Sequence, residues 1–383
     1  DWSSDVCSSD LKTYGDTKTY VGNEYSASGL IEGENIASVR LASSGDAGSA
    51  AQGSYTIIPS AAAASATFDP NNYEITYSDG TLTVNRASLT IRANNAVKTF
   101  GDTLAFSGTE FTASGLKNGE SISSVSLASE CASANSPVGT CDVTASSAIG
   151  GGTFVEGNYE VTYNSGTLTV TKRQLAITAS SHALTYGDPV PAVTPNYSGF
   201  VNGDSSDVVS DTTCSTSYSP TSNAGSSQST SCSGASATNY SFVYTPGAVT
   251  IAKKQVTVTA SNHNVNYGDP VPTVTAGYSE LVNGDTSDVV SGTSCSTTYS
   301  TTSSAGTSQS TSCSGASATN YTFVYTGGSV TVGKRTLTIT AGSPSLTYGD
   351  PIPSISASFD GFINGDDNRV ISSMTCTTVY TER

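Results

Sequence analysis

The residue types that could carry chemistry in this chain are its cysteines, histidines and recurring aspartates. Its 383 residues include 8 Cys but only 2 His, His182 and His263. A zinc site or a nucleophilic cysteine needs partner ligands or a base, and the sequence offers neither a CxxC pair nor a histidine close to a cysteine. Phosphate-binding loops, dinucleotide fingerprints, GxSxG elbows and HExxH motifs are also missing from the sequence. We therefore predict no catalytic residue, no cofactor site and no enzymatic activity.

The cysteines are spaced as pairs. Cys214 and Cys232 are 18 residues apart, Cys295 and Cys313 have the same separation, and Cys131 and Cys141 are 10 apart. Cys376 occupies the place of a first cysteine, and its partner would fall beyond the last residue. We predict three disulfides within these pairs, each contributing about 3 kcal/mol by constraining the unfolded chain. Such bridges indicate an oxidising compartment.

Aspartates recur in Tyr-Gly-Asp triplets and in the NGDxxD motifs Asn202–Asp207 and Asn283–Asp288. Calcium takes oxygen ligands of this kind, so a calcium site is one interpretation. Its candidate ligands are Asp188, Asp204, Asp207, Asp269, Asp285 and Asp288. We favour the alternative, in which Asn-Gly forms a turn and the first aspartate of NGDxxD caps a short helical turn.

Three landmarks recur in a fixed order, which makes the chain one module repeated in tandem. A Tyr/Phe-Gly-Asp triplet recurs at intervals of 86, 86, 81 and 81 residues, at Tyr14, Phe100, Tyr186, Tyr267 and Tyr348. A turn motif follows each triplet, at Ser28–Glu34, Ser114–Glu120, Ser198–Asp204, Ser279–Asp285 and Asp360–Asp366. A closing segment then ends each copy that reaches it, at Asn72–Val84, Asn158–Val170, Asn239–Ile251 and Asn320–Val332. The two intervals define two module subtypes.

These landmarks predict the domain boundaries. Module 1 spans 12–86 and lacks its first strand, modules 2, 3 and 4 span 87–172, 173–253 and 254–334, and module 5 spans 335–383 and stops about halfway. Residues 1–11, DWSSDVCSSDL, match no other part of the chain and resemble translated sequencing adapter. We expect that this segment, with Cys7, is not native.

Each module should be built from short strands. An opening run such as Leu89-Thr-Ile91 alternates apolar and polar residues, which predicts a half-buried strand. In the closing segment, Tyr240, Phe242 and Tyr244 share one strand face, and Pro246-Gly247 is a turn dipeptide. We predict that the closing segment is a β-hairpin.

The closing strand leads almost directly into the next module through a basic pair, at Lys172-Arg173, Lys253-Lys254 and Lys334-Arg335, with Asn85-Arg86 as a weaker version. Linkers this short predict an elongated, semi-rigid rod. Exposed charges usually contribute little beyond local contacts, so we expect these basic residues to cover strand ends and pair with acidic loops of the neighbouring module. The alternative is a ligand-binding stripe or a protease site.

Composition agrees with a mainly-β fold. Charged residues make up only 12% of the chain, the formal net charge is -16, and there are 37 Gly and 20 Tyr. An acidic chain is a poor ligand for nucleic acids and anionic membranes, and no apolar run approaches the length of a membrane span. We predict a tandem array of small β-rich modules with at most a short helix each, as a β-sandwich or a β-grasp-like fold.

With these landmarks described, the copies resemble the MBG and YDG repeats of large bacterial surface proteins. The matching residues are the Tyr-Gly-Asp-Pro runs, the Gly-Phe-x-Asn-Gly-Asp motif and one closing segment: Tyr186–Pro189, Tyr267–Pro270, Tyr348–Pro351, Gly199–Asp204 and Asn239–Ile251. The first two copies depart from this pattern, with Thr17 and Thr103 in place of the proline. The resemblance implies part of a giant, filamentous-haemagglutinin-like adhesin, secreted or at the cell surface of a Gram-negative bacterium. It implies no catalytic residues.

Three functional hypotheses follow. The leading one is a non-catalytic structural or adhesive stalk segment, whose partners are the neighbouring repeats of the same chain. The second is an array of binding modules that recognise host or matrix glycans or proteins. The third is an accessory segment of a large secreted enzyme. None involves nucleic acid or a membrane span.

Overall fold

The computed structural model describes residues 10–381. The chain divides into two compact units. One comprises the residues up to Ala176 together with Tyr197–Asp211 and Ala235–Val243, and the other comprises Ile177–Asn196, Thr212–Gly234 and the residues from Tyr244 onward. Cys7 and most of the adapter-like segment lie outside the described residues. So does the place of the first strand that module 1 is predicted to lack.

Strands dominate the described residues, as the composition predicts. Modules 1 and 2 contain β1 (Asp10–Thr13), β2 (Ser38–Ser43), β3 (Gly53–Ala63), β4 (Gly80–Asn85), β5 (Ala87–Ala93), β6 (Ala96–Thr99), β7 (Phe111–Ser114), β8 (Ser121–Ala128), β9 (Gly139–Gly151), β10 (Tyr159–Asn164) and β11 (Gly166–Thr171). Module 3 contains β12 (Arg173–Ala179), β13 (His182–Thr185), β14 (Pro195–Ser198), β15 (Thr213–Thr216), β16 (Ser227–Ser233), β17 (Tyr240–Thr245) and β18 (Gly247–Ala252).

Modules 4 and 5 continue the same order. They contain β19 (Lys254–Ala260), β20 (His263–Asn266), β21 (Ala276–Ser279), β22 (Ser294–Thr297), β23 (Ser308–Ser314), β24 (Tyr321–Thr326), β25 (Gly328–Gly333), β26 (Thr338–Ala341) and β27 (Ala357–Asp360). The helical segments among residues 10–381 are all 3-10 turns: Pro70–Asn72, Glu130–Ala132, Glu156–Asn158, Ser206–Val208, Ser287–Val289 and Asn368–Val370. No helical segment of the described residues is long and apolar enough to cross a membrane.

Modules 2 and 4 each consist of two small sheets with the same strand order. In module 2 these are β10-β5-β7 and β6-β11-β9-β8, and in module 4 they are β21-β19-β24 and β20-β25-β23-β22. Module 3 repeats the larger sheet as β13-β18-β16-β15, and module 1 repeats it as β1-β4-β3-β2. The predicted tandem array of β-rich modules is therefore confirmed.

The opening strands bury alternate residues, as their pattern predicts. In β5, Leu89 and Ile91 are 1% and 0% exposed, and in β19 both Val256 and Val258 are fully buried. Their side chains pack between the two sheets, where each buried aliphatic side chain contributes about 1.5–3 kcal/mol.

The closing segment is not a β-hairpin, so that prediction is wrong. Its two strands enter different sheets: β24 pairs in parallel with β19, whereas β25 pairs in parallel with β20 and antiparallel with β23. Both the opening and the closing segment thus cross from one sheet to the other, side by side. Gly328 lies at this crossing, and a Cβ there would stand 2.5 Å from the Ala260 carbonyl oxygen. The Gly of the turn dipeptide is needed for close backbone approach, rather than for a hairpin turn.

All three predicted disulfides are present, at Cys131–Cys141, Cys214–Cys232 and Cys295–Cys313. Cys214 and Cys232 lie directly opposite each other on β15 and β16. Cys295 and Cys313 lie opposite each other in the same way on β22 and β23. Cys376 is the free cysteine of the described residues. The bridges therefore fasten the outer edge of the four-stranded sheet in modules 3 and 4.

The predicted end of the adapter-like segment at residue 11 does not coincide with a structural boundary. Strand β1 begins at Asp10 and pairs in parallel with β4. The Asp10 carboxylate also lies 3.3 Å from the Lys18 ammonium. The last two residues of the segment, Asp10 and Leu11, are therefore part of the fold of module 1.

We predict that Gly328→Ala destabilises module 4 by about 1–3 kcal/mol, because the added methyl group overlaps a carbonyl oxygen that cannot move. Gly277→Ala in β21 is the matched control, since its Cβ would have no neighbour nearer than the Thr259 carbonyl oxygen at 3.7 Å. Calorimetric unfolding of the two variants measures the difference. Equal unfolding temperatures would contradict the crossing-point role of Gly328.

Candidate functional site

The recurring motifs of the sequence meet at the junctions between modules. At each junction, the Tyr/Phe-Gly-Asp triplet of one module contacts the turn motif and the closing segment of the next module. We call this contact the joint, and the chain repeats it between modules 1 and 2, 2 and 3, 3 and 4, and, in part, 4 and 5. Each joint lies within one compact unit.

Two aromatic rings form the centre of each complete joint. Tyr14 packs edge-to-face on Tyr159 with ring centroids 5.5 Å apart, and Phe100 packs on Tyr240 at the same distance. Tyr186 and Tyr321 repeat the arrangement at 5.4 Å. None of the six rings is more than 4% exposed. An edge-to-face pair adds about 0.5–1.5 kcal/mol to the burial of its rings.

A carboxylate of the turn motif accepts hydrogen bonds from these hydroxyls. Glu120 accepts one from Tyr14 and one from Tyr159, each at 2.6 Å. Asp285 accepts from Tyr321 at 2.7 Å and from Tyr186 at 3.2 Å. The joint between modules 2 and 3 differs because Phe100 has no hydroxyl, and Asp204 there accepts a bond from Tyr240 at 2.7 Å.

In modules 2 to 5, the asparagine of the turn motif ties that motif to the preceding module. Its backbone is left-handed, with φ of 54°, 57°, 58° and 55° at Asn118, Asn202, Asn283 and Asn364. Asparagine adopts this conformation more readily than most residues, and the Nδ2 of each of these four donates to a carbonyl oxygen of the module before it. The acceptors are Gly48, Ala134, Pro220 and Thr301, at 3.2, 3.0, 2.8 and 2.8 Å respectively.

The glycine of the triplet lets the two modules approach. A Cβ at Gly101, Gly187 or Gly268 would overlap the aliphatic side chain that precedes the asparagine, Val201, Val282 and Ile363 respectively. A second asparagine, at the start of the closing segment, reinforces the contact. The Oδ1 atoms of Asn158, Asn239 and Asn320 accept from backbone amides of the preceding module at 2.9, 3.0 and 2.9 Å.

Each complete joint also extends the hydrophobic core from one module into the next. One buried cluster contains Phe100 and Val170 of module 2 with Leu175 and Tyr240 of module 3. The other joints have equivalent clusters, around Tyr14 and Tyr159 and around Tyr186 and Tyr321. The apolar contact and the hydrogen bonds therefore form one interface.

The basic pairs lie beside the joints, as expected for residues that cover strand ends. Arg173 pairs with Asp102 at 3.0 Å and Arg335 with Asp269 at 3.4 Å, and both acids belong to the preceding module. The ammonium groups of Lys172 and Lys253 donate to the carbonyls of Ala237 and Ala318. Exposed pairs of this kind contribute about 0–1 kcal/mol each.

The calcium candidates are not brought together. Asp204 and Asp285 bind tyrosine hydroxyls in the joints, whereas Asp188 and Asp269 accept from backbone amides within their own turns at 2.7 and 2.8 Å. Asp207 and Asp288 lie in the 3-10 turns. Within residues 10–381, no group of three or more His, Cys, Asp or Glu side chains is placed to hold a metal ion.

The short helical turn after Asn-Gly-Asp is present, but its predicted cap is wrong. The side chains of Ser205 and Thr286 cap these 3-10 turns, because the turns begin one residue later than expected. His182 and His263 start β13 and β20, and their Nε2 atoms lie 3.0 and 2.8 Å from the hydroxyls of Ser180 and Ser261 respectively.

The two subtypes differ in the group that binds the carbonyl oxygen of the triplet aspartate. In modules 1 and 2 it is a buried lysine: Lys12 binds Asp16 O at 2.9 Å, and Lys98 binds Asp102 O at 3.0 Å. In modules 3 and 4 it is a tyrosine hydroxyl, of Tyr218 and Tyr299, at 2.7 Å in both. Burial lowers the pKa of Lys12 and of Lys98. The sequence alone does not reveal that these lysines and tyrosines bind the same carbonyl oxygen, because they lie at different positions along the module.

Burial is the main cause of raised tyrosine pKa values in the joints. It raises the pKa of Tyr321 to about 12, with the nearby Asp285 carboxylate acting in the same direction. The pKa values of Tyr14, Tyr159 and Tyr240 are raised by burial as well. These hydroxyls therefore stay protonated donors across the physiological range.

Phe100 provides a natural comparison for the hydroxyl contact. We expect Phe100→Tyr to add a bond to Asp204 and to raise the protection of the Val201 amide, which donates to Tyr240 at 3.2 Å. Tyr186→Phe should lower the protection of the equivalent Val282 amide. Each effect should be about threefold to tenfold in hydrogen exchange, matching about 0.5–1.5 kcal/mol per bond. Each variant is the other's control, since the untouched joint should exchange at its original rate.

Raised tyrosine pKa values predict alkaline weakening of the joints. Stability from Tyr321 is full below the unfolded pKa of about 10 and is lost as pH rises towards the folded value of about 12. Tyr321→Phe should therefore reduce the fall in unfolding temperature between about pH 10 and 12. Tyr348→Phe is the control, because Tyr348 is 92% exposed. The same pH dependence in all three proteins would contradict this role.

Comparison with known proteins supports the modular description. The MBG domain (YGX type) matches four times, at residues 8–83, 89–169, 175–250 and 256–331. None of the curated proteins matches the sequence. The structure is similar to Drosophila N-cadherin EC1-4, with 7% identity, a TM-score of 0.25, and 73% of this chain and 83% of the other covered. It is also similar to Drosophila N-cadherin EC1-3, with 9% identity, a TM-score of 0.20, and 64% of this chain and 98% of the other covered.

The family match covers most of the chain, and each matched region contains one Tyr/Phe-Gly-Asp triplet, the residues from which the joints are built. MBG repeats are not known as catalytic domains, and the disulfides and repeats are consistent with an extracellular location. The chain belongs to the MBG domain (YGX type) family, as a tandem array of its repeats.

Proposed function

We propose that this chain is a non-catalytic stalk segment of a large secreted or cell-surface bacterial adhesin. The observation that carries the proposal is the repeated joint, in which side chains that could serve a binding site instead fasten one module to the next. A stalk needs successive modules held at defined positions, and the joint supplies apolar burial, hydrogen bonds and a short linker together.

Tyrosine use supports this proposal over a glycan-binding array. Glycan sites commonly use exposed aromatic rings with available hydroxyls, but the joint rings are buried and their hydroxyls bind carboxylates. Tyr218 and Tyr299 likewise bind backbone carbonyls inside their modules. An accessory role in a secreted enzyme requires a catalytic domain elsewhere, and the joint neither requires nor indicates one.

Small-angle X-ray scattering of the purified chain tests the stalk. A globular protein of 383 residues has a radius of gyration of about 21 Å. We expect a clearly larger value, because every joint links successive modules. A value near that of the globular protein would contradict the stalk.

A variant can link the shape to the joint. Gly187→Val forces Val282 out of its contact, so it should broaden the distribution of interatomic distances. Gly277→Ala is the control and should leave the scattering unchanged. If Gly187→Val also leaves it unchanged, the joint does not hold the modules in position.

A further inference from the structure

All four Asn-Gly sequences of the chain lie in joints, at Asn118-Gly119, Asn202-Gly203, Asn283-Gly284 and Asn364-Gly365. Asn-Gly is the sequence at which an asparagine side chain most readily loses its amide group. Glycine has no Cβ, so its backbone nitrogen can approach the Cγ atom of the preceding asparagine without obstruction. The asparagine and the glycine of each pair are exposed to solvent. The turn that fastens each module to the preceding one is therefore also chemically labile.

The closed joint holds these turns in an unreactive conformation. In the joint between modules 3 and 4, Asn283 and Gly284 have φ of 58° and 78°, and the Asp285 amide donates to the Val282 carbonyl at 2.9 Å. These are the features of a type I′ turn. In left-handed backbone ψ is positive too, so the glycine nitrogen points away from the Cβ atom of the asparagine. Attack on Cγ therefore requires a rotation of the Asn-Gly peptide group that breaks the turn.

The preceding module prevents this rotation. The Asn283 Nδ2 atom, which would have to leave, donates to the Pro220 carbonyl at 2.8 Å. The neighbouring Val282 side chain lies over Gly187, in the space that a Cβ would occupy there. The joint between modules 2 and 3 repeats both contacts. The turn can rotate only when the two modules separate.

We propose that each joint contains a self-modifying site, at which separation of the two modules leads to deamidation of the asparagine. Water or hydroxide removes the proton from the glycine amide, and the nitrogen attacks Cγ. The new N–C bond closes a cyclic imide, the Cγ–Nδ2 bond breaks, and Nδ2 takes up a proton and leaves as ammonia. Water then opens the imide at either carbonyl to give aspartate or isoaspartate. The chain and water supply every reactant.

The product cannot re-form the original contact. A carboxylate oxygen replaces Nδ2, and it can only accept hydrogen bonds, so it would face the carbonyl oxygen of the preceding module without a donor between them. Isoaspartate also adds a methylene group to the backbone of the turn. Deamidation therefore records each opening permanently and leaves the joint weaker. This chemistry depends on the joint and not on the proposed stalk role.

Two joints of the chain provide a matched comparison. The turns at Asn202 and Asn283 both read Val-Asn-Gly-Asp, so their intrinsic reactivity should be equal. The joints differ because Tyr186 donates a hydrogen bond at 3.2 Å to the carboxylate of its joint, whereas Phe100 has no hydroxyl to donate. The joint between modules 2 and 3 should therefore open more often, which exposes Asn202 to deamidation more often than Asn283.

Timed peptide mapping by mass spectrometry, with isoaspartate separated from asparagine, tests the proposal on the full chain at mildly alkaline pH. In the folded chain, Asn202 should react about threefold to tenfold faster than Asn283, the change expected from one hydrogen bond. Phe100→Tyr should slow the reaction at Asn202 alone, and Tyr186→Phe should accelerate it at Asn283 alone. In urea the two sites should react faster and at equal rates. Equal rates in the folded chain and in both variants, or folded rates that match those in urea, would overturn the proposal.

A more disruptive variant opens one joint directly. Gly187→Val forces Val282 out of its contact, so it should bring Asn283 close to its rate in urea and leave Asn202 unchanged. Circular dichroism verifies that the variant is folded. If Gly187→Val unfolds module 3, Tyr186→Phe decides, because it removes only one hydroxyl. An Asn283 that stays unreactive in the folded Gly187→Val chain would also overturn the proposal.

Asn283→Asp imitates one of the two products. It should speed hydrogen exchange of the Val282 amide, which donates to the Tyr321 hydroxyl oxygen in the joint, by about threefold to tenfold. Asn196→Asp is the matched control, because it adds the same charge at an exposed position of β14. An unchanged Val282 amide in Asn283→Asp, or the same change in both variants, would contradict the weakening of the joint by deamidation.

Discussion

The constraint on which this structure depends is the burial of a tyrosine or phenylalanine from one module against the closing segment of the next. A module of about 80 residues has little interior of its own, so it gains stability by sharing apolar surface with a neighbour. In two of the three complete joints this ring belongs to a tyrosine, so its hydroxyl is buried as well. The carboxylates of Glu120 and Asp285 satisfy those hydroxyls, which makes the interface specific as well as apolar.

Close backbone approach is the second recurring requirement. Glycine meets it inside the module, where Gly328 allows two segments to cross between sheets, and in the joint, where Gly101 and Gly187 admit the side chains of Val201 and Val282. The 37 glycines of the chain are therefore partly explained by contacts and not by flexible linkers. A chain that is rich in Gly and Ser can still be well ordered where glycines lie at close contacts, as Gly101, Gly187 and Gly328 do.

The two subtypes reach the same local result with different chemistry. A lysine ammonium and a tyrosine hydroxyl both satisfy the carbonyl oxygen of the triplet aspartate. The lysine adds a buried charge, whereas the tyrosine adds buried ring area. Modules 3 and 4 also place a disulfide across their outermost strand pair, where module 2 uses the longer antiparallel pair of β8 and β9. The joint is the feature that all of them retain.

The sequence by itself determined the repeat, the β-strand content, the alternating burial of the opening strands and the three disulfides. Each of these depends on residues close in the chain or on direct comparison of copies. The tertiary structure decided which strands pair and which module each motif serves. Alternation shows which face of a strand is buried but not which strand lies beside it, so the crossing of the closing segment between two sheets could not be predicted.

In the same way, a strictly periodic sequence cannot distinguish a contact within one copy from a contact with the next. Tyr186 lies close in sequence to the turn motif of its own module, yet its hydroxyl binds Asp285, 99 residues away. The physical reason is geometric: β13 pairs in parallel with β18, so the triplet after Thr185 and the next module after Ala252 leave the sheet at the same edge.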